Sequence, residues 1–259
     1  MDSVPGLGEL IQRLRLYKAP PPPDDDDDGG GEGMEEDVDE RGKVFTSAAI
    51  ADSSSSSPRP QRFRPKRAAV LICLFVGDCG ELRVILTKRS RNLSTHSGEV
   101  SLPGGKAEDG DKDDAGTATR EAKEEIGLDP SLVTIAAVLE PFLSKHLLRV
   151  VPVVGILSDK HAFQPRLNAS EVEILFDAPL KMFLKDKNHR SEEREWMGEK
   201  FLIHYFNFET EKKQFVIWGL TAGILIHAAS VVYQQPPSFT EQRPKYRIPR
   251  YIKGNCTMP

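Results

Sequence analysis

Three glutamates and an arginine near the middle of the chain carry the strongest chemical signal. In the stretch GGKAEDGDKDDAGTATREAKEEIGL, from Gly104 to Leu128, residues 113–126 read as a helix and Gly127 supplies its stop. At about 100° per residue, Ala115, Ala118, Ala122 and Ile126 share one face, while Glu121, Glu124 and Glu125 share another arc of roughly 100°. A solvated face is the ordinary reading of three glutamates. Two features weaken it. Glu121 and Glu125 are like charges one turn apart, which costs a few tenths of a kcal/mol. Glu124 and Glu125 also lie in the last turn, where the helix dipole disfavours negative charge, and only Arg120 is placed to offset it, by pairing with Glu124. Carboxylates held together against local preference mark a functional site. A hard divalent cation, Mg²⁺ or Mn²⁺, would account for them, because it takes oxygen ligands and bridges to phosphate oxygens.

Residues outside the helix could complete such a site. Pro103 stiffens the entry to Gly104 and Gly105, whose backbone is free to approach a ligand. Arg89 and Arg91 have the planar guanidinium that pairs with phosphate through two hydrogen bonds; an exposed strand end is the competing reading for Arg89. His96 is a candidate acid–base group, although a single loop histidine is more often structural. Glu171 and Glu173 are candidates for a further carboxylate, with chance placement the plainer explanation.

The elements that must position these groups are legible in outline. Apolar runs predict strands at Ala68–Phe75 and Leu82–Thr87, joined through the turn residues Asp78-Cys79-Gly80. Further strands are predicted at Thr134–Leu139, Val150–Leu157 and Lys200–Phe208, a short helix with a turn at Pro179 within Glu171–Leu184, and a long buried helix at Val216–Tyr233. Mixed strands with two main helices predict an α/β/α sandwich. Phe215–Tyr233 carries no formal charge, but Thr221, His227, Ser230 and two glycines dilute it, so a core helix is expected rather than a membrane span.

Composition sets the remaining bounds. Residues 24–40 hold eleven acidic side chains, so the −4 of the 259-residue chain becomes +7 once those carboxylates are set aside, a balance that suits an anionic ligand. Residues 1–64 form an acidic, Pro- and Ser-rich region expected to be largely disordered, beyond a possible short helix at 6–17. Residues 65–240 are expected to form the folded domain and 241–259 a basic tail. That tail (Arg243, Lys245, Tyr246, Arg247, Arg250, Tyr251, Lys253) keeps RNA binding as a minor alternative, and nucleic acid is not the expected partner. The stretch Arg59–Arg67 reads as a solvated linker edge. Cys73, Cys79 and Cys256 make neither a disulfide framework nor a Cys-x-x-Cys zinc pair and fit a reducing compartment. A cytoplasmic location is expected, with a mitochondrial or other organellar one as the alternative.

The central stretch resembles the Nudix box, G-x5-E-x7-R-E-U-x-E-E-x-G-U with U apolar. Arg120, Glu121, Ala122, Glu124, Glu125, Gly127 and Leu128 match its second half. Asp111 stands where glutamate is usual and eight residues rather than seven precede Arg120, a departure that bears on Asp111 and leaves the three glutamates untouched. The preceding Leu86-Thr87-Lys88-Arg89-Ser90, His96, Gly98-Glu99-Val100 and Leu102-Pro103-Gly104-Gly105, the run Asp111-Lys112-Asp113-Asp114, and the later Trp218-Gly219-Leu220-Thr221-Ala222 resemble coenzyme A diphosphatases, nearest to plant members. The resemblance covers residues 65–240. It implies a Nudix α/β/α sandwich with a mixed sheet and hydrolysis of coenzyme A or its thioesters to 3′,5′-ADP and (acyl-)4′-phosphopantetheine. It also implies Mg²⁺ or Mn²⁺ on Glu121, Glu125 and Glu124, with Glu124 a ligand or a water-activating base. Arg120 would orient the glutamates. Arg89, Arg91, Gly104 and Gly105 would meet the small-molecule substrate. NADH, ADP-ribose, dinucleoside polyphosphates or an mRNA cap are alternative substrates for the same site. A non-catalytic nucleotide or RNA binder of this fold is the alternative of another class, though all three box glutamates are retained.

Overall fold

The computed structural model describes residues 6–18, 66–144, 148–196, 199–211 and 213–242, together with four two-residue strands. The chain divides into two units. One comprises residues 1–20 and 66–245, the other 21–65 and 246–259. In the second unit, Asp37–Val38 pairs antiparallel with Val44–Phe45, and Gln61–Arg62 with Tyr251–Ile252. The acidic run, apart from Asp37–Val38, the serine tract and all of the basic tail beyond residue 242 except Tyr251–Ile252 lie outside the described residues.

The first unit is built on a mixed sheet. Its strands are β1 (Arg67–Val76), β2 (Leu82–Arg89), β3 (Val100–Ser101), β4 (Gly104–Lys106), β5 (Val133–Val138), β6 (Phe142–Leu143), β7 (Arg149–Leu157) and β8 (Val172–Pro179). The order is β8-β2-β1-β7-β5, with β3 on β2, β4 on β1 and β6 on β7; β1 and β7 are parallel and the other pairs antiparallel. The β1–β2 hairpin closes through Gly77 N–H to Glu81 C=O at 2.8 Å, with Gly80 at φ 80°.

β1 is a continuous apolar run because both its faces are covered. Ala69, Leu71, Cys73 and Phe75 pack with Ala118, Ala122 and Ile126 of helix α2 (Asp114–Ile126). Ala68, Ile72 and Leu74 point the other way. There they join Leu10 and Leu14 of helix α1 (Leu7–Arg15), the apolar helix α3 (Gly219–Tyr233) and a second, three-stranded sheet. That sheet comprises β9 (His189–Trp196), β10 (Glu199–Glu209) and β11 (Gln214–Trp218), in order β9-β10-β11. The result is the expected α/β sandwich. Among the described residues no helix is long and apolar enough to cross a membrane.

One expectation is corrected. Val216–Tyr233 is not one helix: Phe215 and Ile217 are buried while Val216 is 45% exposed, a period of two that makes β11. Gly219, at φ 61°, then turns the chain into α3. The short helix expected within Glu171–Leu184 is present at Leu180–Leu184, directly after Pro179, and the stretch before it is strand β8, paired along β2.

Candidate active site

Helix α2 supplies the carboxylates, and its ends are fixed by ordinary means. Asp113 caps the start, accepting from Gly116 N–H at 2.7 Å, and Gly127 closes the end at φ 72°. The small alanines let the helix lie close to β1. The backbone of β4 then runs beside the exposed flank of α2, because Ala69 pairs with Gly105 and Val70 with Gly104.

Both glycines are required there. A Cβ on Gly105 would lie 2.4 Å from the Glu121 carboxyl carbon. Gly104 sits at φ 149°, and its Cβ would meet the Ala69 carbonyl oxygen at 2.4 Å. Gly104 N–H donates to Glu125 Oε2 at 3.2 Å, while Arg89 Nη1 stands 3.8 Å from Glu125 Oε1. Glu125 is only 2% exposed. Burial pushes its carboxyl up to about 7, against the pull of Gly104 N–H and Arg89, with Glu121 and Glu171 adding repulsion. Glu121 is raised as well, chiefly by burial.

Arg120 faces the neighbouring acids. Its Nε and Nη2 donate to the two oxygens of Asp111 at 2.9 and 3.0 Å, and Nη1 donates to Glu121 and Glu124 at 3.2 Å each. Nη2 also donates to the Lys106 carbonyl at 3.1 Å. These bonds hold the Asp111 carboxyl well below the usual carboxylate range. Asp111 further accepts from Thr117 Oγ1 at 2.8 Å and so ties the loop before the helix to its first turns. Arg120 is thereby spent on holding acids in place. Glu124 is the accessible member, with 55% of its side chain exposed.

The other candidates separate. Glu171 lies near enough to raise both Glu121 and Glu125, while Asn168 Nδ2 donates to it at 3.1 Å. Arg91 is not in the carboxylate group: 77% exposed, it stands 3.5 Å from Glu173, which also takes Lys88 at 3.2 Å. His96 pairs with Glu99 at 2.9 Å on the surface.

All the donors on α2 are carboxylate oxygens, the set a hard divalent ion prefers. Glu121 and Glu125 are both pushed toward neutrality by burial, and a dication between them would reverse that shift. The fit is therefore chemical, and the arrangement is open. Among the described residues no three His, Cys, Asp or Glu side chains are gathered closely enough to hold an ion.

Residues 65–218 match the NUDIX domain family model. The chain belongs to the Nudix family. Two Arabidopsis thaliana proteins are similar at high identity. One is named Nudix hydrolase 15, mitochondrial (67% identical, covering 85% of this chain and 77% of that one). The other is named Nudix hydrolase 22, chloroplastic (60%, covering 95% and 78%). The peroxisomal coenzyme A diphosphatase of Mus musculus is 36% identical over 72% of this chain and 78% of its own. This Nudix chain is accordingly a hydrolase of pyrophosphate bonds, from a family that generally uses divalent metal ions. The cytoplasmic expectation is overturned, because the two high-identity relatives are named mitochondrial and chloroplastic.

Proposed function

We propose that this Nudix hydrolase cleaves the diphosphate of coenzyme A or its thioesters with water, giving 3′,5′-ADP and 4′-phosphopantetheine or its acyl form. The observation that carries the chemistry is the Glu121–Glu125 pair, buried beside Gly104, Gly105 and Arg89 on the helix that bears the family motif. The likeness to the mouse enzyme supports the choice of coenzyme A.

In this reading Glu121 and Glu125 would hold Mg²⁺ or Mn²⁺, and Glu124 would complete the ligand set or take the proton of the attacking water. An ion held there would supply charge neutralisation at the diphosphate and a more acidic water. Arg120, anchored by Asp111, fixes the directions of Glu121 and Glu124 and stays off the substrate. Gly104 N–H holds one oxygen of Glu125, and Arg89 keeps its Nε–H, which has no hydrogen-bond partner among the described residues, for a phosphate oxygen. Water adds to one phosphorus, the bridging P–O bond breaks, and the departing phosphate keeps the electron pair. Glu171, whose charge acts on both glutamates, would add a further carboxylate oxygen. An organellar location is part of the same reading, supported by the names of the two Arabidopsis relatives.

A substrate panel tests it. With Mg²⁺ or Mn²⁺, coenzyme A should exceed NADH and ADP-ribose in kcat/KM by roughly tenfold or more. Glu124→Gln and Glu125→Gln should each lose roughly 100-fold in kcat. Faster turnover of NADH or ADP-ribose would move the substrate assignment, and full metal-dependent activity in either variant would remove the site.

A further inference from the structure

The loop from β7 to β8 folds over the C-terminal end of α2. Arg166 N–H donates to the Ile126 carbonyl and Asn168 N–H to the Glu125 carbonyl, each at 2.9 Å. Both carbonyls lie in the last turn, where a helix leaves its acceptors without internal partners. The approach is close, since a Cβ on Gly127 would stand 2.9 Å from the Arg166 Cβ. The loop is thereby indexed to the backbone of Glu125 itself. At its far end Ser90 N–H donates to the Glu171 carbonyl at 2.8 Å, next to Arg89, and the Glu171 carboxylate acts on both Glu121 and Glu125.

These constraints meet at Asn168, whose polar groups are all engaged. Its carbonyl accepts from Glu171 N–H at 2.9 Å and from Val172 N–H at 2.8 Å. Its Oδ1 accepts from Ser170 N–H at 3.2 Å and from Ser170 Oγ at 2.6 Å, while Nδ2 donates to Glu171 Oε1 at 3.1 Å. The orientation of the amide is forced. A backbone N–H can only donate and a carboxylate can only accept, so the oxygen faces Ser170 and the NH₂ faces Glu171.

We propose that Asn168 is a positioning residue for the reaction: it ties the Glu171 carboxylate to the backbone of Glu125, so that the acid on the loop and the acids on the helix form one rigid set for a divalent ion. The proposal rests on the reading above in which Glu171 would add a carboxylate oxygen, and it holds whichever diphosphate is cleaved. A carboxylate that faces two others is repelled by them and needs a donor to keep it there. A neutral amide supplies that donor without setting a second positive charge beside the ion, as lysine or arginine would.

Asn168→Asp in the full chain separates this role from one of building the loop. Aspartate keeps an oxygen for Ser170 and all the backbone bonds, but sets a charged acceptor against Glu171 in place of the donor. The variant should melt within a few degrees of wild type. Its Mn²⁺ uptake, followed through the electron paramagnetic resonance of the free ion, should weaken about tenfold, and kcat with Mg²⁺ should fall about tenfold at nearly constant KM. In a Glu171→Gln background, where the carboxylate is already gone, the same substitution should change either quantity less than about twofold. If Asn168→Asp does not fold, Ser170→Ala carries the same comparison, because it loosens the amide and keeps every backbone bond; its expected loss is roughly threefold. Equal losses in the two backgrounds, or wild-type Mn²⁺ uptake in the variant, would overturn the assignment of Asn168. Unchanged uptake and turnover in Glu171→Gln would overturn it too while leaving Glu121 and Glu125 as the site, whereas no Mn²⁺ uptake by wild type would overturn both.

Discussion

Burial of Glu125 makes the metal-free protein sensitive to pH in a direction that can be worked out. Its folded-state value, about 7, lies above the ordinary carboxyl value, so folding favours the protonated form. The stabilisation from that proton is complete below about pH 4.5 and is lost as pH rises through about 7, a change on the order of 3 kcal/mol. In EDTA, urea midpoints should fall over that range more steeply for wild type than for Glu125→Gln, and Mg²⁺ should restore more stability at pH 8 than at pH 5. Identical pH profiles for the two proteins would show that the carboxylate is not held as described. Asp111 runs the other way, since its lowered value adds stability above the usual carboxylate range that disappears in acid. Glutamate is the family's usual residue there, so the sequence pattern left Asp111 without a role. The structure gives it one, because a shorter acid on a loop one residue longer still takes the Nε–Nη2 edge of Arg120 with both its oxygens.

The two glycines of β4 should respond differently to the same added methyl group. In Gly104→Ala the Cβ meets backbone, at a φ that side chains avoid, so the sheet must shift and stability should drop by about 1–3 kcal/mol. In Gly105→Ala the obstacle is the end of the Glu121 side chain, which can rotate away. That variant should keep nearly wild-type melting while losing most of its metal-dependent activity. Melting curves and activity measured on both would decide, and the reverse pattern would contradict the placement of Glu121. How far elements could be read from sequence followed their environment. β1, β2, β7 and α2 carry their burial in their composition, and each was legible. β9 was not: Arg190, Glu192, Glu193, Arg194 and Glu195 suit a charged edge strand, whose apolar signal is absent by design against edge pairing. β11 and α3 merged in the sequence because both are apolar, and only the alternation at Phe215–Ile217 and the turn at Gly219 separate them.

At the scale of the whole molecule, the N-terminal helix α1 belongs to the folded body. Leu10 and Leu14 are fully buried, Arg13 donates to the Val232 carbonyl at the end of α3, and Tyr17 donates to Glu140 Oε1 at 2.6 Å. Glu140 also binds His227 of α3 at 2.5 Å; burial pushes its carboxyl up, but these two hydrogen bonds bring it net below the ordinary value. The sequence showed the helical spacing of Leu7, Leu10, Ile11 and Leu14 but not its partner, which lies more than a hundred residues away. Leu14→Ala should cost about 2–5 kcal/mol by urea denaturation, and removal of residues 1–18 should cost at least as much; an unchanged midpoint would detach α1 from the core. The central claim is that Glu121 and Glu125, presented by an alanine-backed helix, grip a divalent ion. Titrating Mn²⁺ while following the electron paramagnetic resonance signal of the free ion tests it most directly. The wild-type protein should take up Mn²⁺ saturably and Glu121→Gln/Glu125→Gln should lose at least tenfold in affinity, about 1.4 kcal/mol. Equal uptake by both proteins would contradict the account.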